Sequence, residues 1–165
     1  MAEPITKFDL SLTRLASDMF ETMRHAPGIG LAAPQIGESI RLIVIEIPAD
    51  KEGGDIQGPF AVCNPMVTKK KGNAKIEEGC LSVPGFYLEV DRAKEITIEG
   101  QNPDGSKFSM EAGGLLAICF QHELDHLDGK LLINYVSSVK RALYKSEIKK
   151  RAKTEGKPED RRPAL

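Results

Sequence analysis

The sequence predicts an α+β fold in which antiparallel strands pack around one buried central helix. Residues 113–127 are apolar nearly all round, a pattern typical of a helix in the middle of a domain. The β-branched run at residues 41–47 and the strict alternation at residues 95–98 predict strands with at least one buried face. With 165 residues, of which 41% are hydrophobic and 28% charged, the chain has the size and composition of one soluble domain.

Two further helices are predicted on either side of this core. Residues 12–23 repeat apolar side chains every three or four positions and predict an amphipathic helix, with Asp9 or Ser11 as its N-cap. Residues 138–152 predict a polar C-terminal helix. The remaining predicted strands are residues 60–67, 86–90 and 131–135, and a hairpin that joins residues 95–101 to 107–111 across the turn at 102–105.

The domain is expected to span residues 1–152, followed by a charged, disordered tail at 153–165. The three cysteines have no paired spacing, which argues against a disulfide framework and for a reducing compartment. The first ten residues contain charged side chains and lack the apolar core of a secretion signal. We therefore expect a cytoplasmic protein that does not enter a membrane.

One motif at the end of the buried helix predicts a metal site. In His122-Glu123-Leu124-Asp125-His126 the two histidines are four residues apart, so both imidazoles project from one face and can bind one ion. Glu123 can then reach the open coordination position as a general base. Asp125 is either a carboxylate that orients an imidazole or an ordinary residue of the helix surface.

A third protein ligand is required, and two residues are candidates. Cys80 lies in a polar, glycine-containing loop rather than in an apolar run, and a thiolate is a strong ligand for a transition metal. Glu147 follows His126 by 21 residues, a spacing found in peptidases with a downstream glutamate ligand. It lies among lysines, however, as on an exposed helix face.

Three motifs together resemble the peptide deformylase family. The first is Gly-Ile-Gly-Leu-Ala-Ala-Pro-Gln at residues 28–35, the second Glu-Gly-Cys-Leu-Ser at 78–82, and the third Gln-His-Glu-Leu-Asp-His at 121–126. Each motif alone is modest, but all three in this order and spacing are specific. The resemblance covers residues 10–150.

The resemblance implies a role for each matching residue. Cys80, His122 and His126 would be the metal ligands, and Glu123 the general acid and base. Gln35 and the backbone N–H of Leu81 would stabilise the formyl oxygen, and Gly30 would pair with the substrate backbone. The implied apolar pocket for the methionine side chain consists of Ile29, Ile76, Leu115, Ile118 and Cys119.

The resemblance also implies the substrate and the metal. The chain would remove the formyl group from N-formylmethionyl nascent peptides with one divalent ion, expected to be Fe(II), although Zn(II), Ni(II) or Co(II) would also suit one sulfur and two nitrogens. Residues 140–165 carry ten basic and four acidic groups, and the rest of the chain is acidic. A contact between the basic C-terminal helix and the ribosome is therefore expected.

Two other functions stay open at this point. One is an endopeptidase with Glu147 as its third ligand. The other is a catalytically silent relative that binds the ribosome through the C-terminal helix, although a protein without activity would not need Glu123 or Gln35.

Overall fold

The computed structural model describes residues 1–26, 28–49, 57–83 and 85–154, with side chains to residue 150. Most of its strands follow one another between the first and the second α-helix. The α-helices are α1 (Leu10–His25), α2 (Gly114–Leu127) and α3 (Ser138–Thr154). The strands are β1 (Gly30–Ala32), β2 (Leu42–Ile47), β3 (Gln57–Lys71), β4 (Ala74–Gly79), β5 (Tyr87–Arg92), β6 (Glu95–Gln101) and β7 (Lys107–Gly113). Two 3₁₀ helices, Ala33–Ile36 and Leu132–Tyr135, complete the described elements.

The strands form two antiparallel sheets. One has the order β1-β2-β3-β6-β7, and the other is the hairpin β4-β5. The mixed α/β architecture with antiparallel sheets and a C-terminal helix confirms the predicted fold class at this level. No helix within the described ranges is long and apolar enough to cross a membrane.

Strand β2 separates two apolar clusters because both of its faces are buried. Ile43 and Ile45 contribute to the cluster that contains Phe120 of α2. The intervening residues, Leu42 and Val44, belong to the cluster that contains the buried side chains of α1. Since successive side chains of a strand point to opposite faces, the unbroken apolar run of β2 is what lets a helix pack on each side.

Helix α1 contains the predicted helix at residues 12–23, is longer at both ends, and uses one of the two predicted caps. The carboxylate of Asp9 accepts hydrogen bonds from the backbone N–H groups of Ser11 and Leu12, at 2.9 and 3.3 Å, so Asp9 is the N-cap. Residues 102–106, which include the predicted turn at 102–105, connect β6 to β7 in the predicted hairpin.

The strand predicted at residues 131–135 is wrong, because this segment is a 3₁₀ helix. Its two adjacent apolar residues, Leu132 and Ile133, are both buried in one cluster, which the alternation of a strand does not allow. The side chain of Asn134 accepts a hydrogen bond from the backbone of Leu131 at 2.8 Å and closes the turn.

Strand β4 was not predicted, and β3 is longer than predicted. Lys75, Glu77 and Glu78 give β4 a composition that is unfavourable for strands, and one of its inward positions is the charged Glu78. Strand β3 continues through Asn64-Pro65 because a bulge absorbs the irregularity, with Asn64 at a positive φ of 49°. Of the charged tail predicted at 153–165, residues 155–165 lie outside the described residues.

Candidate metal centre

The last two turns of α2 carry two imidazoles on one face of the helix. The Nε2 atoms of His122 and His126 lie 3.2 Å apart. Both side chains are buried, as are Phe120 and Gln121 immediately before them. The helix therefore points two nitrogen donors into the protein interior.

Strand β4 brings a thiol to the same point. Cys80 follows the last residue of β4, and its Sγ atom lies 3.2 Å from Nε2 of His126. The ligand atoms of Cys80, His122 and His126 all lie within 4.8 Å of one another. Two nitrogens bound to one tetrahedral ion at about 2.0–2.1 Å are roughly 3.4 Å apart, so these separations suit a shared ion. The buried group can hold a metal ion.

The imidazoles stabilise the charged form of the Cys80 thiol. Burial raises the pKa of this thiol, but hydrogen bonds and charge interactions with His122 and His126 outweigh burial and lower its pKa to about 6. Burial has the opposite net result at Cys63, where it raises the pKa to about 11, and at Cys119, where the pKa is well above its ordinary value. Since the thiolate is the form that binds metals, Cys80 is the cysteine suited to be a ligand.

A buried carboxylate that the sequence analysis did not single out contacts one of the imidazoles. Oε2 of Glu78 lies 2.9 Å from Nδ1 of His122. Arg92 of β5 donates from Nε and Nη2 to the two oxygens of Glu78, at 2.7 and 2.9 Å. An ionised Glu78 can only accept, so Nδ1 of His122 carries a proton and Nε2 is the nitrogen that faces the other two ligand atoms.

A sequence signal for Glu78 existed in the phase of the strand. Residues 76, 78 and 80 alternate with exposed Lys75 and Glu77, so Glu78 projects to the same side as Cys80. A charged residue on the inward side of a strand, two positions from a candidate ligand, indicates a partner of that ligand.

The carboxylate of Glu123 is buried, and neither of its oxygens has a hydrogen-bond partner among the described residues. Burial raises its pKa to about 7. A Cβ atom at Gly30 would collide with Oε1 of Glu123 and lie 2.8 Å from Sγ of Cys119, so only glycine leaves room beside the carboxylate. An unpaired buried carboxylate is costly, and such groups concentrate at functional sites.

The first motif approaches the loop that carries Cys80. Gln35 accepts a hydrogen bond from the backbone N–H of Ala32 at 2.7 Å, and its Nε2 donates to Oγ of Ser82 at 3.1 Å. Leu81 lies between Cys80 and Ser82. The structure thus brings Gln35 close to the segment that contains Leu81.

The predicted pocket residues lie on α2 and on two other segments. Ile118 and Cys119 are buried, whereas Leu115 in the first turn of α2 is 40% exposed. Sγ of Cys119 lies 3.7 Å from the carbonyl oxygen of Ile29, which joins the first motif to α2. Ile76 is half-buried on β4.

Comparison with known proteins identifies the family. The model of the family described as polypeptide deformylase matches residues 1–142. The chain belongs to the peptide deformylase family. Peptide deformylases are metal-dependent hydrolases that remove the N-formyl group from the N-terminal methionine of newly synthesised polypeptides and release formate, and this is the function of the chain.

Relatives and solved structures of peptide deformylases cover nearly the whole chain. The peptide deformylase of Hahella chejuensis is 45% identical over 154 residues, which are 93% of this chain and 89% of the relative. The peptide deformylase of Rhizobium meliloti is 46% identical over 94% of this chain and 88% of its own length. The crystal structure of a peptide deformylase from Legionella pneumophila is 42% identical, with a TM-score of 0.82, and covers 96% of this chain and 90% of that one. The Ehrlichia chaffeensis peptide deformylase in complex with actinonin is 37% identical, with a TM-score of 0.85, and covers 93% of this chain and 90% of that one.

Glu147 and Asp125, the two carboxylates whose roles the sequence left open, do not belong to the cluster of ligand atoms. Glu147 is exposed on α3 and does not belong to the group formed by Cys80 and the two histidines. Asp125 does not contact an imidazole in the described structure. It accepts hydrogen bonds from Arg92 and Tyr135 instead.

Replacing Cys80 by serine is expected to abolish tight metal binding. The substitution removes the thiolate and leaves two imidazoles, so we expect the affinity for Zn(II) or Co(II) to fall by at least about 100-fold. Competition with a chelator under anaerobic conditions measures this affinity. Cys63→Ser is the matched control, because Cys63 is also buried but lies in β3, outside the cluster. Wild-type affinity in Cys80→Ser would contradict the assignment.

Proposed function

We propose that deformylation takes place at the buried cluster, with Cys80, His122 and His126 as the ligands of one divalent metal ion and Glu123 as the group that transfers protons. The observation that carries the proposal is the carboxylate of Glu123, which is buried without a hydrogen-bond partner and lies beside Gly30. Its ionisation is coupled to the charges of His122 and His126. A bound ion would supply Lewis acidity at the reacting carbonyl group.

Fe(II) is the metal that we propose for the native protein. One soft thiolate combined with two imidazoles suits a late first-row transition metal, and Zn(II), Ni(II) or Co(II) would occupy the same donors. A thiolate in such a site is open to oxidation once oxygen reaches it, which makes anaerobic handling part of every test.

Glu123 would move protons in both halves of the hydrolysis. Its carboxylate accepts a proton from the attacking water, whose oxygen forms a bond to the formyl carbon. The carbon–nitrogen bond then breaks, and Glu123 returns the proton to the leaving amine, so the products are formate and a free N-terminus. A pKa of about 7 suits a group that both accepts and donates near neutral pH.

Gln35 and Leu81 would stabilise the charge that develops on the formyl oxygen. The proximity of Gln35 to Ser82 supports this role, because it brings the Gln35 amide close to the loop that contains the Leu81 N–H. A donor of this kind typically contributes about 3–4 kcal/mol to the transition state.

The substrate backbone would bind along β1. Among the described strands, β1 pairs only with β2 and forms one edge of the larger sheet, so Gly30 lies on an edge strand to which an extended peptide can add. The methionine side chain would then enter the apolar pocket formed by Ile29, Ile76, Leu115, Ile118 and Cys119.

Residues 1–152 would form one domain around α2 as its central, buried helix, on which ten buried residues are found. The protein would act in the cytoplasm, where nascent chains emerge. Exposed lysines of α3, such as Lys145 and Lys149, would contact the ribosome.

Replacing Glu123 by glutamine is expected to remove activity and leave the metal bound. The amide keeps the shape of the side chain but cannot accept the proton, so we expect kcat to fall by about 10²–10⁴-fold. Formate release from formyl-Met-Ala-Ser by anaerobically prepared protein measures the loss. Glu111→Gln, on an exposed position of β7, is the control and should keep full activity. A Glu123→Gln variant as active as the control would contradict the assignment of the base.

Replacing Gly30 by alanine is expected to impair the reaction without removing the metal. The added methyl group would displace the Glu123 carboxylate, and a shift of this size at a reacting group typically costs about 100-fold in rate. Gly113→Ala is the matched control, since its new Cβ would meet Glu95 at an ordinary 3.9 Å. Steady-state kcat/KM measures the loss of activity, and metal content shows whether the ion is still bound. Equal kcat/KM in the two variants would show that the space beside Glu123 is not needed for the reaction.

A further inference from the structure

Arg92 is a buried arginine that joins two carboxylates on different elements. Its Nε and Nη2 donate to Glu78, and its Nη1 donates to Oδ2 of Asp125 at 2.6 Å. The side chain of Arg92 is only 6% exposed. The guanidinium group therefore connects the β4-β5 hairpin to the last turn of α2.

Tyr135 completes the arrangement around Asp125. Its hydroxyl donates to the same Oδ2 atom at 2.6 Å, and its ring lies 5.5 Å from the guanidinium carbon of Arg92. Burial, followed by the hydrogen bond to Asp125, raises the pKa of the Tyr135 phenol to about 12, so this hydroxyl is a donor at neutral pH. The second 3₁₀ helix is thereby attached to the same guanidinium.

The backbone next to Arg92 is also fixed to α2. The side chain of Gln121 accepts from the N–H of Ala93 at 3.0 Å and donates to the carbonyl groups of Ala93 and Ala117, both at 2.9 Å. Gln121 thus fixes the backbone of Ala93, the residue after Arg92, whereas Asp125 and Tyr135 contact the Arg92 guanidinium itself.

We propose that Asp125 and Tyr135 are positioning residues of the metal centre, which act on His122 through Arg92 and Glu78. A guanidinium is planar, so fixing Nη1 also fixes the edge formed by Nε and Nη2. That edge sets the two oxygens of Glu78, and Glu78 sets the imidazole of His122. Substitution of a group that orients a ligand imidazole commonly lowers metal affinity by about 10–100-fold.

The inference rests on the proposed ligand set. Bound Co(II) tests the ligand set through its visible spectrum and the positioning residues through its affinity. The test compares the Co(II)-loaded wild type with Asp125→Asn, Tyr135→Phe and Asp128→Asn. Asp128 is the matched control, because it is a carboxylate at the same end of α2 whose partner is Arg41, at 3.1 Å. Each protein is titrated with Co(II) against a chelator and its visible spectrum is recorded. Urea unfolding of the metal-free forms gives their stability.

We expect Asp125→Asn to weaken Co(II) binding by about 10-fold and to shift the cobalt spectrum. Tyr135→Phe should act in the same direction by roughly 3-fold, because the contact between Arg92 and Asp125 remains. Asp128→Asn should bind as the wild type does. Tyr135→Phe alters a partly exposed side chain, so it carries the test if Asp125→Asn does not fold.

Two outcomes would overturn the inference. One is that both network variants bind Co(II) with the affinity and spectrum of Asp128→Asn. The other is that their affinity falls only in proportion to the stability of the metal-free protein, which would make the network purely structural. A wild-type cobalt spectrum without a thiolate charge-transfer band would instead refute the proposed ligand set, so the two failures can be told apart.

Discussion

The metal centre depends on one contact between elements that are far apart in the sequence. The thiol of Cys80 lies 3.2 Å from the Nε2 atom of His126. The β4-β5 hairpin that delivers the thiol is not part of the larger sheet. A two-stranded hairpin is marginally stable by itself, so its place beside α2 has to come from tertiary contacts. Apolar contacts around Cys80 and Phe86, and the polar contacts of Glu78 and Arg92, supply them.

These polar contacts explain why charged groups are tolerated in the interior. Glu78 is fully buried, but Arg92 and His122 satisfy its oxygens. Replacing such a buried pair by apolar residues often does not lower stability, so we attribute to this pair the orientation of an imidazole rather than a net gain in stability. Glu123 differs, since no described residue satisfies its oxygens, and its proposed role in proton transfer rests on this difference.

Much of the fold and the centre of the site could be predicted from local patterns. The spacing of His122 and His126 on an apolar helix, the glycine-containing loop around Cys80 and the alternation of β6 are all encoded over a few residues. The Glu78–Arg92 pair is not, because its two residues meet only when β4 and β5 pair and then dock on α2. The strand predicted at residues 131–135 is wrong for a similar reason. The conformation of this segment is set by burial of Leu132 and Ile133 in an apolar cluster that distant elements form.

X-ray absorption at the metal edge of anaerobically prepared, Fe(II)-loaded protein tests the central claim most directly. If Cys80, His122 and His126 bind one ion, the spectrum will contain one sulfur scatterer at roughly 2.3 Å and two imidazole nitrogens at a shorter distance of about 2.0–2.1 Å, by analogy with the corresponding zinc bonds. A first shell made only of nitrogen and oxygen would show that the thiol does not bind the metal, and it would contradict the assignment of Cys80 as the third ligand.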